Sequence, residues 1–276
     1  MMPKKEWVSD EHKNMPFFIC RLERAVYHTG SKENILEVWL NRNNFIDASS
    51  LDARGLAKNS WLEGLRVGKN PHAQFVKKQL ERRDGEIVIA DGEHPIRWVG
   101  SGGLLILKDK KGGEYAVLNR RHPLASWPGH IDANGGYSSS VADMCFPGEL
   151  GERELKEEVI IKQKGKRIPL NITPRHIPGA TTVIVHFKGQ EFVTPDLILV
   201  IDSNTGVIDF RRVYEMEIGN FFDYSFEDGE KRHTGENIEV SQGREIFVIR
   251  LKNLISRFKK KEDKFTPALS AILERL

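Results

Sequence analysis

The run Arg153-Glu154-Leu155-Lys156-Glu157-Glu158 crowds three carboxylates into one short, helix-forming segment. At helical pitch Glu154, Glu157 and Glu158 stand at i, i+3 and i+4, on one side of the helix. Like charges at that spacing repel by roughly 0.2–0.5 kcal/mol per pair. On a face that is not fully solvated, a positive partner has to offset this, and a divalent cation with oxygen ligands is the natural one. Leu155 and Val159 form a second stripe suited to packing on a sheet. One face therefore reads as buried and the other as presenting acid to a cleft. Taken alone, the hexamer is also an ordinary solvated helix face with an Arg153–Glu157 ion pair. The sequence on either side decides between the two.

The elements that must position this run divide near residue 95. Residues 1–95 read as a mostly helical N-terminal region. Ile35–Leu40 and Trp61–Leu80 have helix-compatible apolar spacing, a polar loop lies between them, and a short strand spans Glu86–Ala90. Phe17–Val26 reads as strand or helix. From residue 96, Gly103–Leu107 and Glu114–Leu118 are apolar runs around a Lys-Asp-Lys-Lys-Gly-Gly turn, which predicts a hairpin. Asn119–Pro147 reads as a long irregular stretch, and the acidic helix starts near Pro147. Thr181–Phe187, Asp196–Asp202, Val213–Ile218 and Ile246–Leu251 read as strands, with a turn at Asn204–Gly206 and an acidic, aromatic loop over Phe221–Ser241. Thr266-Pro267 marks the start of a last helix running to Leu276. The pattern predicts an α/β (α+β) layer fold.

Charge is nearly balanced, 42 Lys and Arg against 39 Asp and Glu in 276 residues, a formal net of +3. This argues against nucleic acid as the main partner. The two cysteines, Cys20 and Cys145, are far apart and form no CxxC pattern, which points to a reducing compartment. With no apolar run long enough to span a membrane and no secretory signal at the start, the expectation is a soluble cytoplasmic protein.

With these elements placed, residues 96–276 resemble the Nudix hydrolase family, whose box reads G-x5-E-x7-R-E-U-x-E-E-x-G-U, with U a bulky aliphatic. Arg153–Glu158 matches its second half without substitution. Trp127-Pro128-Gly129-His130-Ile131-Asp132, following Leu118-Asn119-Arg120-Arg121, resembles the proline-glycine approach to the box. Gly243-Arg244-Glu245-Ile246-Phe247 and the Thr266-Pro267 helix resemble the last strand and terminal helix. The chain departs from the pattern between Gly129 and Arg153, which is about ten residues longer than the family spacing. Strict counting puts Cys145 where the family has its first glutamate, leaving Glu149 and Asp132 as substitutes, and Ile160 replaces the late glycine.

The resemblance implies a mixed β-sheet sandwiched between helices. It also implies a metal-dependent hydrolase cleaving a diphosphate linkage in a nucleoside diphosphate derivative or related organic pyrophosphate. Glu157 and Glu158 would bind Mg2+ or Mn2+, and Glu154 would be a third ligand or the group activating water. Metal ions are needed there to neutralise the phosphate oxygens and acidify bound water. Arg153 would orient the carboxylates. Glu236 and Glu239 are candidates for a further acid, and Gly129, His130, Asp132 and Trp98 for substrate contacts. The alternative is a catalytically impaired Nudix-fold nucleotide-binding or regulatory module, which the lengthened loop and Ile160 suggest. A purely structural acidic helix is the third reading. Residues 1–95 are left with three open roles: covering the cleft, forming a homodimer surface, or contributing to substrate choice.

Overall fold

A computed structural model describes residues 18–29, 34–47, 80–83, 86–89, 98–121, 127, 129–137, 141–202, 207–229 and 245–276. In chain order these residues form β1 (Phe18–Thr29), β2 (Asn34–Asp47), β3 (Leu80–Arg83), β4 (Glu86–Ile89), β5 (Trp98–Lys108), β6 (Glu114–Arg120), β7 (Ile131–Asp132) and β8 (Asn134–Tyr137). Two helices follow, α1 (Val141–Cys145) and α2 (Pro147–Glu158). Next come β9 (Val159–Gln163), β10 (Lys166–Ile168), β11 (Thr173–Arg175), β12 (Thr181–Phe187), β13 (Gln190–Asp202), β14 (Val207–Glu217), β15 (Tyr224–Asp228) and β16 (Glu245–Arg250). The chain closes with α3 (Leu251–Lys259) and α4 (Pro267–Leu273). The result is the expected mixed sheet architecture with helices, and the chain divides into two compact units that no single cut separates. The first comprises 1–101, 136–150 and 178–210; the second comprises 102–135, 151–177 and 211–276.

In the first unit β1 pairs antiparallel with β2, β2 parallel with β12, and β12 antiparallel with β13. Ile35–Leu40 is therefore strand, not helix. Leu36, Val38 and Leu40 alternate inward, and β12 does the same with Val183, Val185 and Phe187, the period of two that a half-buried strand requires. These six side chains meet Met144, Cys145, Leu150, Phe192, Leu197 and Phe210 in one apolar core. The residues described before 95 are strands, correcting the mostly helical reading at those positions. The helix expected over Trp61–Leu80 lies outside the described residues, except that Leu80 begins β3.

In the second unit the strand order is β14-β5-β6-β16, with β7 added on β6. The predicted hairpin is β5 and β6, paired from Leu105↔Val117 to Lys108↔Glu114. Ala116, Val117 and Leu118 are all fully buried, as befits a central strand covered on both faces. A second sheet, β10-β9-β15, lies in the same unit. Tyr115, Val117, Leu155, Val159, Ile161, Tyr214 and Met216 share its core. The last helix begins where the sequence places it: Thr266 Oγ1 accepts from the Leu269 N–H at 3.2 Å, with Pro267 in the first turn. The strand expected over Ile246–Leu251 ends at Arg250, and Leu251 starts α3 straight after it. Within Asn119–Pro147, expected to be irregular, the described residues include β7, β8 and α1.

Candidate functional site

The acidic run forms the last two turns of α2, and Leu155 anchors it, fully buried in the core of the second unit. That end of a helix carries the negative pole of its dipole, so acids gathered there are doubly unfavourable. The three carboxylates meet this in different ways. Glu157 is 63 % exposed and its Oε1 lies 3.7 Å from Arg153 Nε. Glu154 is 16 % exposed and accepts from Arg153 Nη2 at 3.2 Å. Burial nevertheless outweighs that guanidinium, with Glu158 and Glu157 adding repulsion, and the Glu154 carboxyl is pushed up to about 7. Glu158 is only 3 % exposed, and its Oε2 accepts the backbone N–H of Gly135 at 2.7 Å.

The Gly135 peptide is itself held in a tight polar layer. The buried Arg211 guanidinium donates from Nη1 to the Asn134 carbonyl at 3.0 Å, and the Asn134 side chain accepts from Asn119 Nδ2 at 3.2 Å. Gly102 has no Cβ because one would run into Asn134 O and Arg211 Nη1. The end of α2 is closed by a second glycine: the Gly229 N–H donates to the Glu158 carbonyl at 2.8 Å. A Cβ on Gly229 would strike the Glu157 carbonyl oxygen. Ile160, the departure from the family glycine, also has a physical reason. The chain passes directly from α2 into β9, and Ile160 pairs there with Glu227 in extended backbone that suits a β-branched residue.

The other candidates lie as follows. Asp132 is buried, and three donors engage its carboxylate: Thr266 Oγ1 at 2.6 Å, the Ala133 N–H at 2.9 Å and Arg121 Nη1 at 3.2 Å. It thereby joins β7 to the cap of α4. Gly129 gives its carbonyl to Arg120 Nη1 at 3.2 Å and its N–H to the Arg121 carbonyl at 3.0 Å. The His130 ring meets Trp127 edge-on at 5.4 Å. Cys145, at the counted place of the first glutamate, is fully buried in the apolar core of the first unit, and burial pushes its thiol up to about 12. Glu149 is exposed in the first turn of α2. Glu236, Glu239, Pro128 and the side chain of Trp98 lie outside the described residues.

The Mg2+ or Mn2+ that the resemblance implies needs several oxygens converging on one point. This arrangement does not fit that demand: Glu158 is turned to Gly135, while Glu154 and Glu157 both lie against Arg153. Among the described residues no three acidic, histidine or cysteine side chains gather closely enough to hold a metal ion. No helix among them is long and apolar enough to cross a membrane.

Similar solved structures include the Nudix hydrolase RenU from M. smegmatis, at 16 % identity over 65 % of this chain and 83 % of that one, with a TM-score of 0.35. A NUDIX hydrolase from Alicyclobacillus acidocaldarius is similar at 11 % identity over 64 % and 89 %, TM-score 0.33. A MutT NUDIX hydrolase from Burkholderia pseudomallei is similar at 16 % identity over 64 % and 96 %, TM-score 0.32. No protein-family model and no curated protein matches the sequence.

The contacts that shape the acidic helix end were not read from the sequence. Gly135, Asn134, Arg211 and Gly229 are the residues missed. The Gly135-Gly136 pair was the one available signal, a glycine doublet between the strand and the acidic helix.

Proposed function

We propose that this chain is a Nudix-fold module that binds a nucleoside diphosphate derivative or related organic diphosphate, with turnover impaired or lost. The observation that carries the reading is that the chain itself engages all three carboxylates, above all the capture of Glu158 by the Gly135 N–H at 2.7 Å, with Arg153 held against both Glu154 and Glu157. A hydrolytic centre for an anionic diphosphate needs those oxygens free to neutralise charge in the transition state. Here one is occupied, and the other two carboxylates lie against the Arg153 guanidinium. A cytoplasmic location belongs to the same reading.

A second reading, a metal-dependent pyrophosphohydrolase using Mg2+ or Mn2+, is favoured by the survival of Arg153, Glu154, Glu157 and Glu158 on one helix end. It requires Glu158 to leave Gly135, with Glu236 or Glu239 as the further acid. The two readings separate in one experiment. The full chain is screened against nucleoside diphosphate derivatives with Mg2+ and Mn2+, for thermal stabilisation and for product. Stabilisation without product supports the binding module. Product that vanishes in Glu157→Gln and Glu158→Gln, with the fold kept, supports the hydrolase. Neither stabilisation nor product overturns both.

A further inference from the structure

We propose that His28, Glu37 and His186 of the first unit form a pH-sensitive clasp, which fastens the N-terminal hairpin to its sheet as the medium turns acidic. That hairpin, β1 with β2, meets β12 along a parallel seam pairing residues 34–40 with 181–187. Glu37 stands at this seam between two imidazoles. His28 Nε2 lies 3.1 Å from its Oε1, and His186 Nε2 lies 3.0 Å from its Oε2. The second ring nitrogen of His186, Nδ1, lies 3.5 Å from Glu191 Oε1 on β13. Glu37 and His186 are 149 positions apart in the chain, so their contact bears directly on whether the hairpin stays attached.

Leu36, Val38 and Leu40 of β2, with Val183, Val185 and Phe187 of β12, point into the apolar core. Glu37, Trp39 and His186 therefore stand on the opposite face of the sheet. His186 is 20 % exposed and Glu37 28 %, so water screens their contact only in part. The Trp39 and His186 rings stack with centroids 4.5 Å apart and planes within 4°. Other charges near β12 come from the core side: Asp143 belongs to α1, whose Met144 and Cys145 pack there, and Lys188 lies over the Phe187 ring at 5.4 Å. Arg24, opposite Trp39 on β1, and Glu86 of β4 have side chains outside the described residues. The two imidazoles approach different oxygens of Glu37, and among the described residues no three such groups gather to hold a metal.

A neutral imidazole carries one N–H. Neutral His186 can thus donate to Glu37 or to Glu191 but not to both, and its other nitrogen turns a lone pair toward a carboxylate. The imidazolium donates to both. Proton uptake by His28 likewise makes its bond to Glu37 charge-assisted, roughly twice as strong as a neutral one. The indole face beneath His186 attracts a cation more than a neutral ring. With both rings charged, two cations alternate with Glu37 and Glu191 across four strands. Histidine changes charge between about pH 5 and 8, so the clasp tightens as pH falls through that range and slackens as it rises.

The clasp shares no residue with the acidic end of α2, so it stands or falls separately from the proposed function. Its test is hydrogen exchange of the full chain at pH 6 and pH 8, read by mass spectrometry on peptides from β2 and β12. Labelling times are scaled for the pH dependence of the chemical exchange rate. Because Glu154 gives stability the same pH sense, the comparison is made in the Glu154→Gln chain. There the β2 and β12 peptides should exchange about threefold more slowly at pH 6 than at pH 8, the scale of a partly exposed ion pair. Adding Glu37→Gln, which keeps the side chain's size and removes its charge, should erase most of that difference. His186→Gln, which cannot take up a proton, should do the same. Equal exchange at the two pH values in the reference chain, slower exchange at pH 8, or a difference that survives both substitutions would each overturn it.

Discussion

Glu158 and Gly135, 23 positions apart in sequence, are joined by a hydrogen bond from the Gly135 backbone N–H to Glu158 Oε2 at 2.7 Å. The bond is buried on the glutamate side, so it fixes both the end of the acidic helix and the strand that faces it. Removing the acceptor leaves a backbone donor without its partner, at a cost of about 1–3 kcal/mol. Glu158→Ala should lower unfolding stability by that amount in urea titrations. Glu158→Gln keeps a carbonyl oxygen in place and should lose less. Equal losses for the two variants would argue that the bond is not what holds this end of the helix.

Gly229 is chosen for close approach and not for flexibility. Its N–H caps the Glu158 carbonyl at 2.8 Å, and a methyl group there meets the Glu157 carbonyl oxygen, which is backbone and cannot swing aside. Gly229→Ala should therefore destabilise the chain by about 1–3 kcal/mol, the range of strained core substitutions. A thermal melt decides it: an unchanged melting temperature would show that α2 and β15 do not approach as described.

Glu154 gives the stability a pH signature. Its carboxyl is raised from 4.5 to about 7, chiefly by burial, so the folded chain prefers it protonated. That contribution is fully present below pH 4.5 and is lost as pH rises through 7. Its full size is about 3 kcal/mol at roughly 1.4 kcal/mol per unit. Glu154→Gln, which cannot ionise, should lose less stability between pH 5 and 8 than the unmodified chain. Parallel pH profiles for the two would contradict the buried placement.

Cys145 behaves as a core hydrophobe. Fully buried and with its thiol pushed up to about 12, it holds almost no thiolate at neutral pH. Iodoacetamide at pH 8 should leave Cys145 unmodified in the folded chain and label it after urea denaturation, read by peptide mass spectrometry. Prompt labelling of the native chain would contradict its position.

What could be read from the sequence was what local chemistry decides. The cap at Thr266-Pro267 is specified within four residues, and the Lys-Asp-Lys-Lys-Gly-Gly turn within six, so both were legible. The acidic helix starts at Pro147 for the same reason. Ile35–Leu40 was misread because six residues fit either period. Its strand identity comes from pairing on both edges, antiparallel with Phe18–Thr29 and parallel with Thr181–Phe187 far away in the chain. Asn134-Gly135-Gly136-Tyr137 lacks any β-branched residue and carries no strand signal of its own. It is held by Glu158 and Arg211, contacts that exist only once the chain has folded. The same holds for Gly229, whose role comes from the pairing of β15 with β9. The acidic residues of the helix end were visible; the neighbours that restrain them were not.

The central proposal is a diphosphate-binding module of Nudix-like fold in which Gly135 holds Glu158 and Arg153 lies against Glu154 and Glu157. Its most direct test is calorimetric titration of the full chain with ADP-ribose in the presence of Mg2+, followed by assay of the same samples for AMP. Saturable binding with no AMP formed is the predicted result. AMP production that disappears in folded Glu157→Gln and Glu158→Gln variants would contradict it.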